Sequence, residues 1–336
     1  MPMVTDLGLS MASHAELRRR VLVCAVALGL AAGGAWAADK SPVATPQVWL
    51  SPAFAFNGHP GSVDNLELFK DGSPWAQARA RVQVFKIAVH TLNQLPDADF
   101  AAMLKYLEQN HIALAVEYGM LTQSDSCGTG VEGFKPLNMP AHISERVKKL
   151  GGRIRYIAMD EPLFFGHFFS GHDACHWSIA DIARNAAPNV KQFREQFPDI
   201  EIGDTEPVNN MKDGDWLDAV REWLEDYRRE TGTPLAFFHD DMIWREPIAA
   251  RTRQLTQLLD SQGIKFGVII NSRGDVDSDQ EWLASAKRNI DEYRASALKA
   301  PDQIIVQSWK PFPTHVLPES DPLTLTHLVN YYFDGR

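Results

Sequence analysis

Short apolar runs rich in β-branched and aromatic residues recur along the chain from residue 46 onward, and amphipathic stretches separate them. Each run is followed by glycine, proline or polar residues, which terminate strands. Alternation of this kind is typical of βα units that form a parallel sheet. The runs span residues 48–51, 82–90, 113–119, 154–160, 200–205, 235–240, 266–271 and 304–308.

The intervening stretches repeat their apolar residues at helical spacing, for example Trp216, Val220, Trp223 and Tyr227. We interpret these stripes as helix faces that pack on the sheet. Because eight is the number of strands that closes a barrel, we predict an α/β fold with a single (β/α)8 TIM barrel. An open doubly wound sheet is the alternative, but no glycine-rich phosphate turn follows the first predicted strand.

The amino-terminal segment has the pattern of a secretory signal peptide. Three arginines at 18–20 precede an apolar run over 21–30, and small residues follow as far as Ala37. We therefore predict a signal peptide over residues 1–37 and a barrel catalytic domain over 38–336. The apolar run is short for a membrane span. We expect a periplasmic or secreted protein with no membrane association after cleavage.

Charge and composition narrow the range of partners. The whole chain carries a formal net charge of −10, and loss of three arginines and two acidic residues with the leader makes the mature chain −11. An acidic surface disfavours nucleic acid as a partner. No linker or change of composition divides residues 38–336, so we expect one domain. We also expect a monomer that acts on a carbohydrate substrate.

Two cysteines are left after removal of the leader, Cys127 and Cys175. An oxidising exterior favours a disulfide between them, and two free thiols are the alternative. The bridge would join the loop after the third strand to the loop after the fourth.

Strand alternation predicts which side chains point into the barrel. Lys86 on the second strand and Glu117 on the third face inward and should form a buried pair. The same argument turns Asp160, Phe238 and Asp240 inward on the fourth and sixth strands. Inward polar residues on the last two strands are Asn271 and Gln307, and Trp309 lies just beyond. The fifth strand is ambiguous, so Asp204 and Glu206 stay unassigned by this test.

Carboxylates concentrate at the carboxyl ends of four successive predicted strands, where barrel active sites form. Crowding of carboxylates raises some of their pKa values. A protonated acid beside an ionised partner is the pairing that glycoside hydrolysis requires. We expect Asp241 and Glu117 to have structural roles. The clustered residues are Glu117, Asp160, Glu161, Glu206, Asp240 and Asp241, with His239 beside them.

Residues 156–162, Tyr-Ile-Ala-Met-Asp-Glu-Pro, resemble the fourth-strand signature of the clan of retaining barrel glycosidases. In that clan Asn-Glu-Pro ends the strand and the Glu is the acid/base; here Asp replaces the Asn. The resemblance implies that Glu161 is the proton donor and that Asp160 contacts a sugar hydroxyl. Trp309 is similar in placement to the aromatic platform on which such enzymes stack a sugar ring.

The clan's nucleophile is a Glu at the end of the seventh strand, where this chain has Asn271. The second carboxylate must therefore come from elsewhere, and we predict Glu206 or Asp240. The predicted function is that of an exported glycoside hydrolase acting on an oligo- or polysaccharide without a metal or other cofactor. Substrate binding is predicted for Asp160, Lys86, Glu117, His239, Asn271, Gln307 and Trp309.

Two other functions stay open on the sequence. A metal-dependent isomerase or phosphoesterase would bind a divalent ion through Glu161, Glu206, Asp240 and His239. A barrel that binds a glycan without cleaving it would explain the missing Glu on the seventh strand.

Overall fold

The computed structural model describes residues 45–55, 58–212, 214–245, 247–274, 276–309 and 311–335. The predicted signal peptide, residues 1–37, lies outside them. Among the described residues, no helix combines the length and the apolar character needed to cross a bilayer.

Eight parallel strands form a closed barrel in which each strand pairs with its neighbours along the chain and the first pairs with the last. The predicted (β/α)8 fold is confirmed. The strands are β1 Gln47–Ser51, β2 Val82–Ala88, β3 Ala113–Tyr118, β4 Tyr156–Asp160, β5 Glu201–Glu206, β6 Phe237–Asp240, β7 Lys265–Ile270 and β8 Gln303–Gln307.

Helices surround the barrel and cover the outer faces of its strands. The α-helices are α1 Ala76–Arg81, α2 Val89–Gln94, α3 Asp97–Gln109, α4 Met139–Lys149, α5 Ile179–Gln196, α6 Trp216–Thr231, α7 Ala249–Gln262, α8 Asp279–Ala295 and α9 Leu325–Asp334. Shorter elements are two 3₁₀ turns, Asn65–Phe69 and Val208–Asn210, a π-helical turn, Phe164–Phe168, and a small parallel sheet of Leu121–Thr122 and Phe134–Lys135.

All eight predicted strands are present, and their ends differ from the predicted ones by two residues or fewer. The second strand is the instructive case, because the prediction ran on to His90. The chain instead turns into α2 at Val89. Val89 and His90 continue the alternation of apolar and polar residues, so the pattern alone does not show where the strand ends.

The barrel interior is filled by aromatic and aliphatic side chains, as expected for a barrel of eight strands. Its members are Trp49, Val84, Ala115, Tyr156, Ala158, Phe237, Ile269 and Ile305. Two glycines make room for the large rings. A Cβ atom on Gly203 would lie 2.3 Å from Phe237, and one on Gly267 would lie 2.4 Å from His239.

The predicted inward faces of β2, β3 and β4 are confirmed, since Val84, Ala115 and Ala158 belong to the interior cluster. The prediction for β6 was wrong by one residue. Phe237 points inward, whereas Phe238 packs in the layer between barrel and helices.

The fifth strand, which the sequence left ambiguous, turns its acidic residues outward. Glu206 pairs with Asp240, and paired residues of parallel strands share a face. Asp204 accepts a hydrogen bond of 2.6 Å from Nε1 of Trp223 in α6. Gly203 and Thr205 occupy the inward positions instead. The outward carboxylates are therefore part of the contact between the barrel and its helices.

The predicted disulfide between Cys127 and Cys175 is present. It ties the loop after β3 to the loop after β4, and the amide of Gly128 donates a hydrogen bond of 2.8 Å to the carbonyl of Asp173 beside it. The bridge fixes one side of the rim that surrounds the carboxyl ends of the strands.

Gly203→Ala is expected to destabilise the protein by about 1–3 kcal/mol, because the added methyl group overlaps the ring of Phe237. Urea unfolding measures the effect. In the double variant with Phe237→Leu, the smaller side chain leaves space for the methyl group, so the loss should be less than the sum of the two single losses. A Gly203→Ala variant as stable as the wild type would contradict this packing.

Candidate active site

Two adjoining cavities lie at the carboxyl ends of the strands, where the βα loops meet. The first cavity has a volume of about 210 Å³ and is lined by residues that include Glu161, Asp241 and Asn271. The second has a volume of about 320 Å³, and Glu117 and Asp160 are among its lining residues. Ser308 and Trp309 line both cavities.

Glu161 follows β4 with a left-handed backbone, φ 52°. This conformation is costly for a residue other than glycine and is typically retained where a functional site needs it. Hydrogen bonds hold it on both sides: its amide donates to the carbonyl of Thr205 at 3.0 Å, and its carbonyl accepts from the amide of Phe165 at 2.9 Å.

The loop after β3 packs directly on this turn. Gly133 has a φ of +84°, and a Cβ atom there would lie 3.0 Å from the carbonyl oxygen of Asp160. Any larger residue would press on the backbone that carries Glu161. The close approach brings the preceding residue, Glu132, to the second cavity.

Asp241 follows β6 and lines the first cavity together with Glu161. Its Oδ1 accepts a hydrogen bond of 3.3 Å from Nδ2 of Asn271, and its amide donates one of 3.0 Å to the carbonyl of Glu206. The sequence predicted a structural role for Asp241. Its position in the cavity follows from the alternation in β6, because Phe237 and His239 point inward and the next residue of that series is Asp241.

The two carboxyl groups of the first cavity differ in their electrostatic surroundings. Burial raises the pKa of Glu161 well above its ordinary value, and the charges of Asp241, Asp160 and Glu132 raise it further. Burial also raises the pKa of Asp241, to about 7, but Lys86 and the hydrogen bond from Asn271 oppose the shift. The surroundings of Glu161 therefore favour its protonated form, whereas Asp241 has a pKa of about 7 and contacts groups that favour its ionised form.

A buried hydrogen-bonded chain borders the second cavity. Nζ of the fully buried Lys86 donates to Oε2 of Glu117 and, at 2.7 Å, to Oε1 of Gln307. The predicted Lys86–Glu117 pair is thus confirmed. Burial raises the pKa of Asp160 well above its ordinary value, and the charges of Glu117 and Glu132 raise it further.

Glu206 and Asp240, the two predicted candidates for the second catalytic carboxylate, line neither cavity. Glu206 is fully buried and accepts hydrogen bonds from the amides of Leu163 and Phe164, at 2.6 and 3.0 Å. It thereby fixes the turn that follows Glu161. Asp240 is also fully buried, and neither of its oxygens has a hydrogen-bond partner in the described part of the chain. Burial raises the pKa of both groups well above the ordinary value.

His239 lies inside the barrel below the cavities. Its ring stacks on Phe237 with a centroid distance of 4.5 Å, and its Nε2 lies 2.9 Å from Oε1 of Gln303. Burial lowers the pKa of His239 to about 3, so the ring is neutral in the folded protein. The predicted contact of His239 with substrate is at odds with this position, since it lines neither cavity.

Trp309 is 47% exposed at the boundary of the two cavities. Glu132, Lys135 and Arg245 also line the cavities but were not singled out from the sequence. Glu132 and Arg245 lie on loops, and Lys135 lies in the two-residue strand Phe134–Lys135, so no alternation indicated the direction of these side chains. Within the described ranges, no three histidine, cysteine or acidic side chains are grouped so that they could hold a metal ion.

No family model matches the sequence, and no curated protein matches it. Solved structures with a similar fold include a β-mannanase from Thermomonospora fusca, with 12% identity, a TM-score of 0.48 and coverage of 78% of this chain and 84% of that one. A xylanase from Thermotoga maritima has 11% identity, a TM-score of 0.47 and coverage of 85% and 93%. The intracellular xylanase of Thermoanaerobacterium saccharolyticum has 14% identity, a TM-score of 0.46 and coverage of 79% and 86%. Similarity at this level does not indicate the chemistry of this chain.

Glu206→Gln is expected to destabilise the protein by about 1–3 kcal/mol, because an amide has one oxygen to offer two buried N–H donors. Asp240→Asn should cost less, since no hydrogen bond of the described residues is lost. Urea unfolding of the two variants compares them directly. A larger loss for Asp240→Asn than for Glu206→Gln would contradict these assignments.

Proposed function

We propose that the protein is a glycoside hydrolase whose catalytic carboxyl groups are Glu161 and Asp241. The observation that supports this most strongly is that both line one cavity at the carboxyl ends of the strands while their surroundings favour different protonation states. Hydrolysis of a glycosidic bond needs a carboxylic acid on one side of the bond and a carboxylate on the other.

Glu161 is the proton donor in this proposal. Burial and neighbouring carboxylates have the largest effects on its pKa, and no cation is among the main causes. The protonated form is therefore favoured. A protonated carboxyl can transfer its proton to the leaving oxygen as the glycosidic bond breaks.

Asp241 supplies the negative charge. Lys86 and the amide of Asn271 favour its ionised form, in contrast to Glu161. As a carboxylate it either attacks the anomeric carbon or removes a proton from an attacking water. Asn271, at the end of β7, orients this carboxylate by its hydrogen bond. The second carboxylate thus comes from the end of β6, which agrees with the missing Glu on the seventh strand.

Substrate binding is assigned to the residues between and within the cavities. The exposed ring of Trp309 offers an apolar face on which a sugar ring can stack. Asp160, Glu117 and Gln307 provide hydrogen-bonding groups in the second cavity. Because Trp309 borders both cavities, a glycan crossing it would contact both, so an oligo- or polysaccharide fits better than a single sugar.

We further propose that the protein acts outside the cytoplasm. The predicted signal peptide and the disulfide between Cys127 and Cys175 support this, since structural disulfides persist in oxidising compartments.

Glu161→Gln and Asp241→Asn should each lower kcat by about 10²- to 10⁴-fold, the usual contribution of a catalytic acid or base. Sugar release from a panel of bacterial and plant glycans measures the loss. Asp240→Asn is the matched control and should keep its activity, because Asp240 faces the helices. Activity that a chelator abolishes would indicate a metal enzyme instead, and binding without turnover would indicate a glycan-binding barrel.

The pH profile of kcat/KM should rise through about pH 7 as Asp241 ionises. Glu117→Gln should move this limb to lower pH, because the charge of Glu117 raises the pKa of Asp241. Removing the negative charge of Glu117 favours the ionised form of Asp241, which then persists to lower pH. Glu222→Gln, on the exposed side of α6, should leave the limb unmoved. A shift to higher pH in Glu117→Gln would contradict the assignment.

A further inference from the structure

Arg245 lies in the loop after β6 and lines the first cavity together with Glu161 and Asp241. Its side chain is exposed, and no carboxylate of the described residues forms an ion pair with it. The surrounding rim carries an excess of acidic groups, so an arginine there without an acidic partner is open to a ligand.

The position of its guanidinium group is defined by packing against the loop after β7. A Cβ atom on Gly274 would lie 3.1 Å from Cζ, 3.2 Å from Nη1 and 3.3 Å from Nε of Arg245. Gly274 also has a φ of +79°, which other residues rarely adopt. Glycine at this position therefore leaves the space in which the guanidinium lies.

Arg273, the other arginine that lines the first cavity, already has partners. Arg273 donates from Nε to Oδ1 of Asn289 at 2.6 Å and pairs with Glu292. Lys86 donates to Glu117 and Gln307. Among the described residues that line the first cavity, Arg245 is thus the cation whose donors are open.

We propose that the substrate carries an anionic group, a carboxylate or a sulfate ester on a sugar ring, and that Arg245 binds it. This rests on the proposed function in so far as the anion belongs to a glycan. The planar guanidinium group donates two parallel hydrogen bonds to an anion of either kind. It would also offset the repulsion between that anion and Asp241, which a neutral sugar would not experience.

Calorimetric titration of the purified protein tests the proposal with oligosaccharides of equal length that are neutral, uronate-containing or sulfated. A Glu161→Gln background prevents turnover. Arg245→Gln should weaken binding of the anionic set by about 10- to 150-fold and leave neutral binding unchanged. Arg245→Lys keeps the charge but loses the paired geometry and should fall between. Arg253→Gln, an exposed arginine on α7, is the matched control and should bind like the parent.

The binding and cleavage results test the anion site at Arg245 separately from the hydrolase activity. Binding of an anionic oligosaccharide that depends on Arg245 supports the proposal even if the wild type does not cleave it, and the set that binds identifies the anion. Cleavage of neutral glycans alone, unaffected by Arg245→Gln, would overturn the anion site while retaining the hydrolase. Failure of both anionic sets to bind the protein would also overturn it.

Discussion

The packing of the barrel interior determines which acidic side chains reach the cavities. Phe237 occupies the space above Gly203, and His239 occupies the space beside Gly267. With these two rings inside the barrel, Asp240 must face the helices, and Asp241 comes to the rim. A shift of β6 by one residue would exchange the two aspartates and leave Glu161 without its partner in the first cavity. The arrangement of the site therefore depends on two glycines that line neither cavity.

The rim holds several carboxyl groups close together, which is unfavourable unless some of them are protonated or paired. Some of the carboxyl groups are paired, and the surroundings of another favour protonation. Glu117 pairs with Lys86, Asp241 accepts from Asn271, and Glu206 accepts two amide hydrogen bonds. Glu161 has no cation among the groups that most influence its pKa, so protonation relieves its burial. These interactions reduce the repulsion between the carboxyl groups. They also give Glu161 and Asp241 different surroundings, which favour an acid at one position and a base at the other.

The fold could be predicted because each strand is a short apolar run with a clear end, and because their number matches a closed barrel. Lys86, Glu117 and Asp160 could be placed inside by alternation, since their neighbours on the other face are all apolar. The same argument failed for β6, because Phe237 and Phe238 are both aromatic and either suits the interior. The positions of Glu132 and Arg245 in the cavities could not be predicted, because they depend on contacts between loops: Gly133 packs on the backbone of Asp160, and Arg245 packs on Gly274.

A carbon-13 NMR titration of the Glu161 and Asp241 carboxyl carbons, assigned with Glu161→Gln and Asp241→Asn, measures directly whether the two groups form an acid and base pair. We expect the Asp241 signal to titrate near pH 7 and the Glu161 signal to titrate well above the ordinary range of a glutamate. Asp241→Asn should shift the titration of Glu161 to lower pH, because the charge of Asp241 raises the pKa of Glu161. Two carboxyl groups that are both ionised at pH 7 and titrate independently would contradict the pairing of an acid with a base.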